Sequence, residues 1–97
     1  KAMRHLSRSL RFFYDEQFRN ALSEVNSAIE LNPNLAIAYG RRGSIYYKLG
    51  DNRRATLNWN VALQLDPEFT EIYDMLQAAD ENRLTPIEIG KTQENIK

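Results

Sequence analysis

Few side chains in this sequence are of the types that carry catalysis, and those few are not grouped. His5 is the only histidine, and the chain has no cysteine. General acid–base and nucleophilic catalysis need a base beside a nucleophile, and a zinc site needs several histidine or cysteine ligands. The adjacent carboxylates Asp15-Glu16 and Asp80-Glu81 fall near predicted helix ends, where solvated surface charge explains them. We therefore expect no enzymatic activity and no metal site, with His5 in a structural or solvated role.

Composition argues against several other classes of function. The four glycines are scattered at positions 40, 43, 50 and 90, so we expect no phosphate-binding loop and no cofactor. Thirteen basic and thirteen acidic residues leave no net charge, which argues against general nucleic-acid binding. No apolar run approaches the roughly 20 residues needed to cross a bilayer, so we expect no direct membrane insertion. The chemistry that remains is noncovalent recognition.

Two stretches of the chain match each other at a constant shift of 34 residues. The segment Ala28-Ile29-Glu30-Leu31-Asn32-Pro33 returns as Ala62-Leu63-Gln64-Leu65-Asp66-Pro67, and Phe12-Phe13 returns as Tyr46-Tyr47. Self-similarity at such a period predicts stacked supersecondary units rather than one irregular globule. Stacked helical units present a curved surface that binds other chains far more often than it catalyses.

Proline and glycine mark where the predicted helices end. Asn32-Pro33 and Asp66-Pro67 end the second helix of each unit, because the residue before proline is disfavoured in helical geometry. Gly50-Asp51 separates the two helices of the second unit, with glycine ending one helix and aspartate capping the next. The sequence thus predicts an all-α fold of about five helices with antiparallel neighbours, near 2–15, 18–31, 35–49, 52–65 and 69–83.

The repeating unit resembles the tetratricopeptide repeat (TPR) family, whose pattern runs Trp-x2-Leu-Gly-x2-Tyr, then Ala-x3-Phe, Ala and Pro. The second unit reads Tyr39-x2-Arg42-Gly43-x2-Tyr46, Ala55-x3-Trp59, Ala62, Pro67. The first unit reads His5-x2-Arg8-Ser9-x2-Phe12, Ala21-x3-Val25, Ala28, Pro33, and departs from the pattern at His5 and Arg8, where large apolar residues are usual. The resemblance implies a TPR solenoid: a right-handed superhelical stack of antiparallel helix pairs.

The resemblance also divides the chain. It implies a TPR domain over 1–83, with one repeat at 2–35, a second at 36–69 and a capping helix at 70–83. The capping helix begins like a third repeat, but Gln77 and Asp80 stand where Gly43 and Tyr46 stood, so no further helix is expected to pack there. The remainder, 84–97, is predicted to be a short or frayed tail, with Ile87 and Ile89 as alternative internal ligands of the groove.

Arg4, Arg8 and Arg11 fall on one stripe of the first helix, where a continuing array would carry apolar residues. A solvated end face is the simplest interpretation. Contact with an acidic partner or a nucleic acid, or with upstream sequence, stays open. Because repeat arrays generally need about three units for stability, a homo-oligomer also stays open for so short an array.

In the TPR family the concave wall is built by the first helix of each unit. The residues that the resemblance carries to this wall are Met3, Leu6, Leu10, Phe13, Tyr14, Ile37, Gly40, Arg41, Ser44, Tyr47 and Lys48, with Glu71, Asp74, Met75 and Ala78 from the cap. Leu6, Leu10 and Phe13 would form a contiguous apolar patch, and such patches usually mark an interaction site. Three interpretations stay open: a peptide or helix groove, a self-association surface, or ordinary core. Arg41 and Lys48 border the patch and are candidates to hold a carboxylate, or are plain surface cations.

A well-known groove chemistry of the family is a carboxylate clamp for the C-terminal tails of heat-shock chaperones. The clamp needs lysine and asparagine on the first helix, a polar amide on the third, and lysine plus arginine on the fifth. The matching positions hold Leu6, Leu10, Arg41, Glu71 and Met75. Only Arg41 suits the task, so we expect a ligand more apolar than a run of acidic residues.

The sequence thus leads to two hypotheses of different classes. The first is a non-enzymatic scaffold or adaptor module that binds an apolar or amphipathic segment of a protein partner in the concave groove. The second is a structural self-assembly element that buries the same apolar wall between copies of itself.

Overall fold

The computed structural model describes residues 1–83, which form five α-helices joined by short turns. These helices are α1 (Ala2–Tyr14), α2 (Phe18–Leu31), α3 (Ala36–Lys48), α4 (Asn52–Leu65) and α5 (Thr70–Arg83). Every predicted helix is therefore found, with ends within one residue of the prediction. The interpretations that concern 84–97 lie outside the described residues.

The helices stack as two pairs and a cap. Helix α1 packs on α2, α3 packs on α4, and α5 packs on α4. In addition, α1 contacts α3 and α3 contacts α5, so α1, α3 and α5 line one side of the stack. None of the described helices is long and apolar enough to span a bilayer. The fold is the all-α helical stack that the repeat predicts.

Two apolar clusters form the core, and each is closed by the first helix of the next unit. Helix α3 closes the first cluster with Ala38 and Ile45, which are 0% and 1% exposed. Helix α5 closes the second cluster at the equivalent positions, with Ile72 and Ala79 at 1% and 2%. The capping helix therefore uses the same contacts as a true repeat on its inner side.

The turn between successive units is built twice from the same hydrogen bond. The Tyr39 hydroxyl donates to the Pro33 carbonyl oxygen at 2.8 Å, and the Tyr73 hydroxyl donates to the Pro67 carbonyl oxygen at 3.3 Å. Both tyrosines lie six residues after their proline, in the first turn of the following helix. Each bond fixes where that helix begins relative to the one before it.

The turn within each unit contains a left-handed residue. Gly50 has φ 87° and Glu16, at the equivalent position, has φ 60°. Both turns use the same backbone bonds: Glu16 N donates to Phe13 O at 3.0 Å, and Gly50 N donates to Tyr47 O at 3.0 Å. A left-handed conformation strains a residue that carries a Cβ, whereas glycine adopts it freely. The first unit therefore carries strain that the second avoids.

We expect Glu16→Gly to raise the free energy of unfolding by about 0.5–1 kcal/mol, because relief of left-handed strain exceeds the extra entropy that glycine gives the unfolded chain. The matched control, Gly50→Ala, should lower it by about 1 kcal/mol. Apart from its chain neighbours, no atom of the described residues lies within 4 Å of a Cβ built at Gly50, so that loss reflects backbone conformation and not a steric clash. Urea denaturation of both variants measures the two effects, and a destabilised Glu16→Gly would contradict the argument.

The contact between the two helices of a unit is made by a small residue facing a larger one. In the second unit Gly43 faces Trp59, and a Cβ at position 43 would lie 2.4 Å from Trp59 Cδ1. The equivalent residues of the first unit are Ser9 and Val25. Ser9 is 1% exposed, and its hydroxyl donates to the Ala21 carbonyl oxygen at 3.1 Å. Ser9 is larger than Gly43 and Val25 is smaller than Trp59, so the two size differences compensate each other.

Gly43→Ser should destabilise the fold by about 3 kcal/mol, because the buried indole cannot move away from the new side chain. Trp59→Val should also destabilise it by about 3 kcal/mol, through the cavity that it leaves. The double variant reproduces the first unit's pair, so we expect it to lose about 1–2 kcal/mol less than the sum of the single losses. Thermal and urea unfolding of all four proteins measure this coupling. Simple additivity would show that the two positions are independent.

Candidate functional site

A pocket of about 340 Å³ opens between α1, α3 and α5. Its lining residues are Ser9, Leu10, Phe13, Tyr14, Ile37, Gly40, Arg41, Ser44, Ile45, Phe69, Glu71, Ile72 and Met75. The repeat explains how they meet, because equivalent faces of three stacked first helices contribute to one surface. We call this surface the groove.

The α1 side of the groove is apolar and aromatic. Leu10 and Phe13 are partly buried, whereas Tyr14 is 75% exposed at the rim. The Phe13 ring packs edge-on against two neighbours, with centroid distances of 5.9 Å to Tyr14 and 5.5 Å to Phe18. Such edge-to-face packing holds aromatic rings in place. The groove therefore has one preformed apolar wall.

The floor of the groove depends on the absence of a side chain at Gly40. A Cβ there would lie 3.1 Å from Ile72 Cδ1 and 3.4 Å from Phe69 Cε2. The carbonyl oxygen of Gly40 accepts a hydrogen bond from Trp59 Nε1 at 3.1 Å. Gly40 thus lets α5 approach α3 closely while its backbone is tied to α4.

Polar groups occupy the middle of the groove. The Ser44 hydroxyl lies 3.3 Å from the Gly40 carbonyl oxygen and 3.5 Å from Met75 Sδ, which connects α3 to α5. Arg41 on α3 and Glu71 on α5 also line the groove. Neither of them forms an ion pair with any residue whose side chain the structure describes. The groove therefore presents one cation and one anion that are available to a ligand.

The neighbouring arginine is structural. Arg42 Nε donates to Asn58 Oδ1 at 2.7 Å, and Arg42 Nη1 donates to Asn26 Oδ1 at 3.1 Å. Its guanidinium also lies 5.3 Å from the centre of the Tyr39 ring. Arg42 consequently links α2, α3 and α4, and its charge is engaged away from the groove.

The expected position of Leu6 on the open wall is wrong. Leu6 is 2% exposed and belongs to the first core cluster. It packs in the cluster that α3 closes, and it is not among the residues that line the pocket. The exposed apolar patch predicted from Leu6, Leu10 and Phe13 is therefore reduced to the last two.

Of the other expected wall residues, Leu10, Phe13, Tyr14, Ile37, Gly40, Arg41, Ser44, Glu71 and Met75 line the pocket, and Met3, Tyr47, Lys48, Asp74 and Ala78 do not. Met3 is 58% exposed. Tyr47 packs on the core, with its ring centroid 5.8 Å from that of Trp59. Among the residues that sequence reasoning missed is Phe69, which precedes α5. Phe69 lies 34 residues after Leu35, and each packs against the core cluster of its side of the stack, so the repeat predicts a packed residue there but not its place in the groove.

His5 lies outside the groove and links two helices. His5 Nδ1 is 2.7 Å from Glu24 Oε1, and Arg8 Nη1 is 4.0 Å from the same oxygen. These contacts join α1 to α2, which accounts for two residues that depart from the repeat pattern. Among the side chains that the structure describes, in residues 1–79, no group of three potential metal-binding residues comes together.

Comparison with solved structures identifies the fold. The structure described as the first TPR of Spaghetti (RPAP3), bound to the HSP90 peptide SRMEEVD, superposes with a TM-score of 0.81 and 25% sequence identity. The alignment covers 88% of this chain and 68% of that one. The chain is a tetratricopeptide repeat domain. No protein-family model matches it.

Two curated proteins are similar to this TPR domain in sequence. Hsp70-Hsp90 organizing protein 3 of Arabidopsis thaliana is 34% identical over 62 residues, or 64% of this chain. Heat shock protein STI1 of Saccharomyces cerevisiae is 30% identical over 81 residues, or 80% of this chain. The matches span only 11% and 14% of those proteins' own lengths.

Thiol labelling tests the assignment of Leu10 to the groove and Leu6 to the core, because the chain has no natural cysteine. We expect Leu10→Cys to react with a maleimide at a rate within about tenfold of Leu57→Cys, whose position is 62% exposed. Leu6→Cys should react far more slowly, since the reagent reaches it only after local opening. Equal rates for Leu6→Cys and Leu10→Cys would place both leucines on one surface.

Proposed function

We propose that this TPR domain is a non-enzymatic protein-interaction module that holds an apolar or amphipathic segment of a protein partner in the groove. The observation that carries the proposal is the groove itself, with an apolar α1 wall of Leu10, Phe13 and Tyr14 facing Ile37 and Met75. The likeness to a TPR domain bound to a peptide supports a peptide ligand. Concave, largely apolar clefts with a few polar groups are typical binding sites.

Apolar burial supplies the affinity in this proposal. Burying one large aliphatic or aromatic side chain of a ligand contributes about 1.5–3 kcal/mol, before the entropy lost on association. The edge-on packing of Phe13 against Tyr14 and Phe18 keeps that wall in place in the absence of ligand. A preformed wall lowers the ordering entropy that binding has to overcome.

An acidic tail suits this groove less well. The peptide bound by the RPAP3 domain, SRMEEVD, carries two glutamates and a terminal aspartate. Of the five positions matched to a carboxylate clamp, Leu10, Arg41, Glu71 and Met75 line the pocket and Leu6 lies in the core. The pocket lining holds one cation, Arg41, and one anion, Glu71, so a run of carboxylates gains little electrostatic attraction.

Leu10→Asp is expected to abolish capture of groove ligands from a lysate of the source cells, because a carboxylate in the apolar wall must be desolvated when the ligand binds. Leu57→Asp is the matched control, since it changes an exposed leucine of α4 outside the groove. Quantitative mass spectrometry of proteins retained by the native chain and both variants provides the measurement. The proposal predicts proteins lost with Leu10→Asp and kept with Leu57→Asp.

If the native chain, Leu10→Asp and Leu57→Asp capture the same proteins in equal amounts, partner binding occurs outside the groove. Sedimentation velocity of the same proteins then tests the self-assembly alternative. A native dimer that Leu10→Asp converts to monomer, together with no captured partner, would favour assembly through the groove over partner binding.

A further inference from the structure

The groove carries its two charges on different helices, and its third helix contributes none. The residues that α1 places in the pocket are Ser9, Leu10, Phe13 and Tyr14, all uncharged. Helix α3 contributes Arg41, and α5 contributes Glu71. The surface therefore changes from apolar to cationic to anionic across the three helices.

These two charges differ from the other charged groups near them. Arg42 is engaged by Asn26 and Asn58, and Glu24 is engaged by His5. Arg41 and Glu71 form no ion pair with each other or with any other side chain that the structure describes. These two charges lie in an apolar pocket and are not paired within the fold. They are therefore available to select a ligand by electrostatic complementarity.

Building on the proposed groove function, we propose that Arg41 and Glu71 make the groove selective for a peptide of defined charge order. The preferred occupant is a protein segment that places apolar side chains against α1, a carboxylate against Arg41 and a lysine or arginine against Glu71. The apolar residues supply most of the affinity, and the two charges set orientation and selectivity. Glu71 disfavours an all-acidic peptide, because a carboxylate beside it is repelled.

Random-sequence peptides displayed on phage test this proposal with the full 97-residue chain as bait. Selections are run in parallel on the native protein, Arg41→Glu and Glu71→Lys. The matched controls are Lys48→Glu on α3 and Asp74→Lys on α5, which reverse the same charges on the same helices at exposed positions outside the pocket. Leu10→Asp provides the background of peptides that do not need the groove.

We expect native selections to enrich apolar peptides that carry both an acidic and a basic residue. Glu71→Lys should lose the basic residue from the selected peptides, Arg41→Glu should lose the acidic one, and the two controls should select as the native protein does. As a fixed probe, the acidic peptide SRMEEVD should bind Glu71→Lys roughly fivefold more tightly than the native chain, and Asp74→Lys less than twofold more tightly. Anisotropy of the labelled peptide measures these ratios.

Each other outcome overturns the proposal in a different way. The same enriched peptides for the native chain, Arg41→Glu and Glu71→Lys would refute charge selection and leave the groove function standing. Enrichment of purely acidic peptides by the native chain would show that Glu71 does not disfavour them. No enrichment above the Leu10→Asp background would refute the groove function, and with it this proposal.

Discussion

The packing of Trp59 against Gly43 is the contact on which the groove depends. The indole occupies the space beside position 43, where a Cβ would lie 2.4 Å from it, and its Nε1 binds the carbonyl oxygen of Gly40 one turn away. Because Gly40 also lacks a side chain, Phe69 and Ile72 reach α3 on the adjacent side. One buried side chain on α4 thus fixes the height and rotation of α3, on which Arg41 and Ser44 are carried.

The two repeats reach the same backbone arrangement with different side chains. The pair Gly43 and Trp59 of the second unit corresponds to Ser9 and Val25 of the first. The hydrogen-bonded pair Arg42 and Asn58 corresponds to the ion pair of Arg8 and Glu24. Ala38 and Ile45, which bury α3 against the first unit, correspond to Arg4 and Arg11, which are exposed. The repeat determines where each position lies in the stack. The residue type at that position, apolar or charged, indicates whether another unit packs against it.

The fold was predictable from the sequence because of the 34-residue period. Each helix has an equivalent 34 residues away, so two segments of the chain support each helix assignment. The same period predicted the general position of the groove but not the boundary between groove and core. Leu6, Leu10 and Phe13 lie on neighbouring stripes of α1, and helical spacing alone does not tell which stripe the next unit covers. The burial of Leu6 in the first core cluster decides it. Likewise, the repeat pattern separates Arg41 on the wall from Arg42 within the unit, but only the contacts with Asn26 and Asn58 show that the charge of Arg42 is engaged.

The left-handed glutamate at position 16 has a consequence for how the domain opens. The strain lies in the α1–α2 hairpin, whose pair Ser9 and Val25 also buries less apolar surface than Gly43 and Trp59. We therefore expect uneven stability along the stack, with amide protons of α1 and α2 exchanging through lower-energy openings than those of α3 and α4. Since α1 forms the apolar wall of the groove, the proposed ligand would stabilise the weaker hairpin. Under the proposed function, we therefore expect occupancy of the groove and folding of the first repeat to be linked.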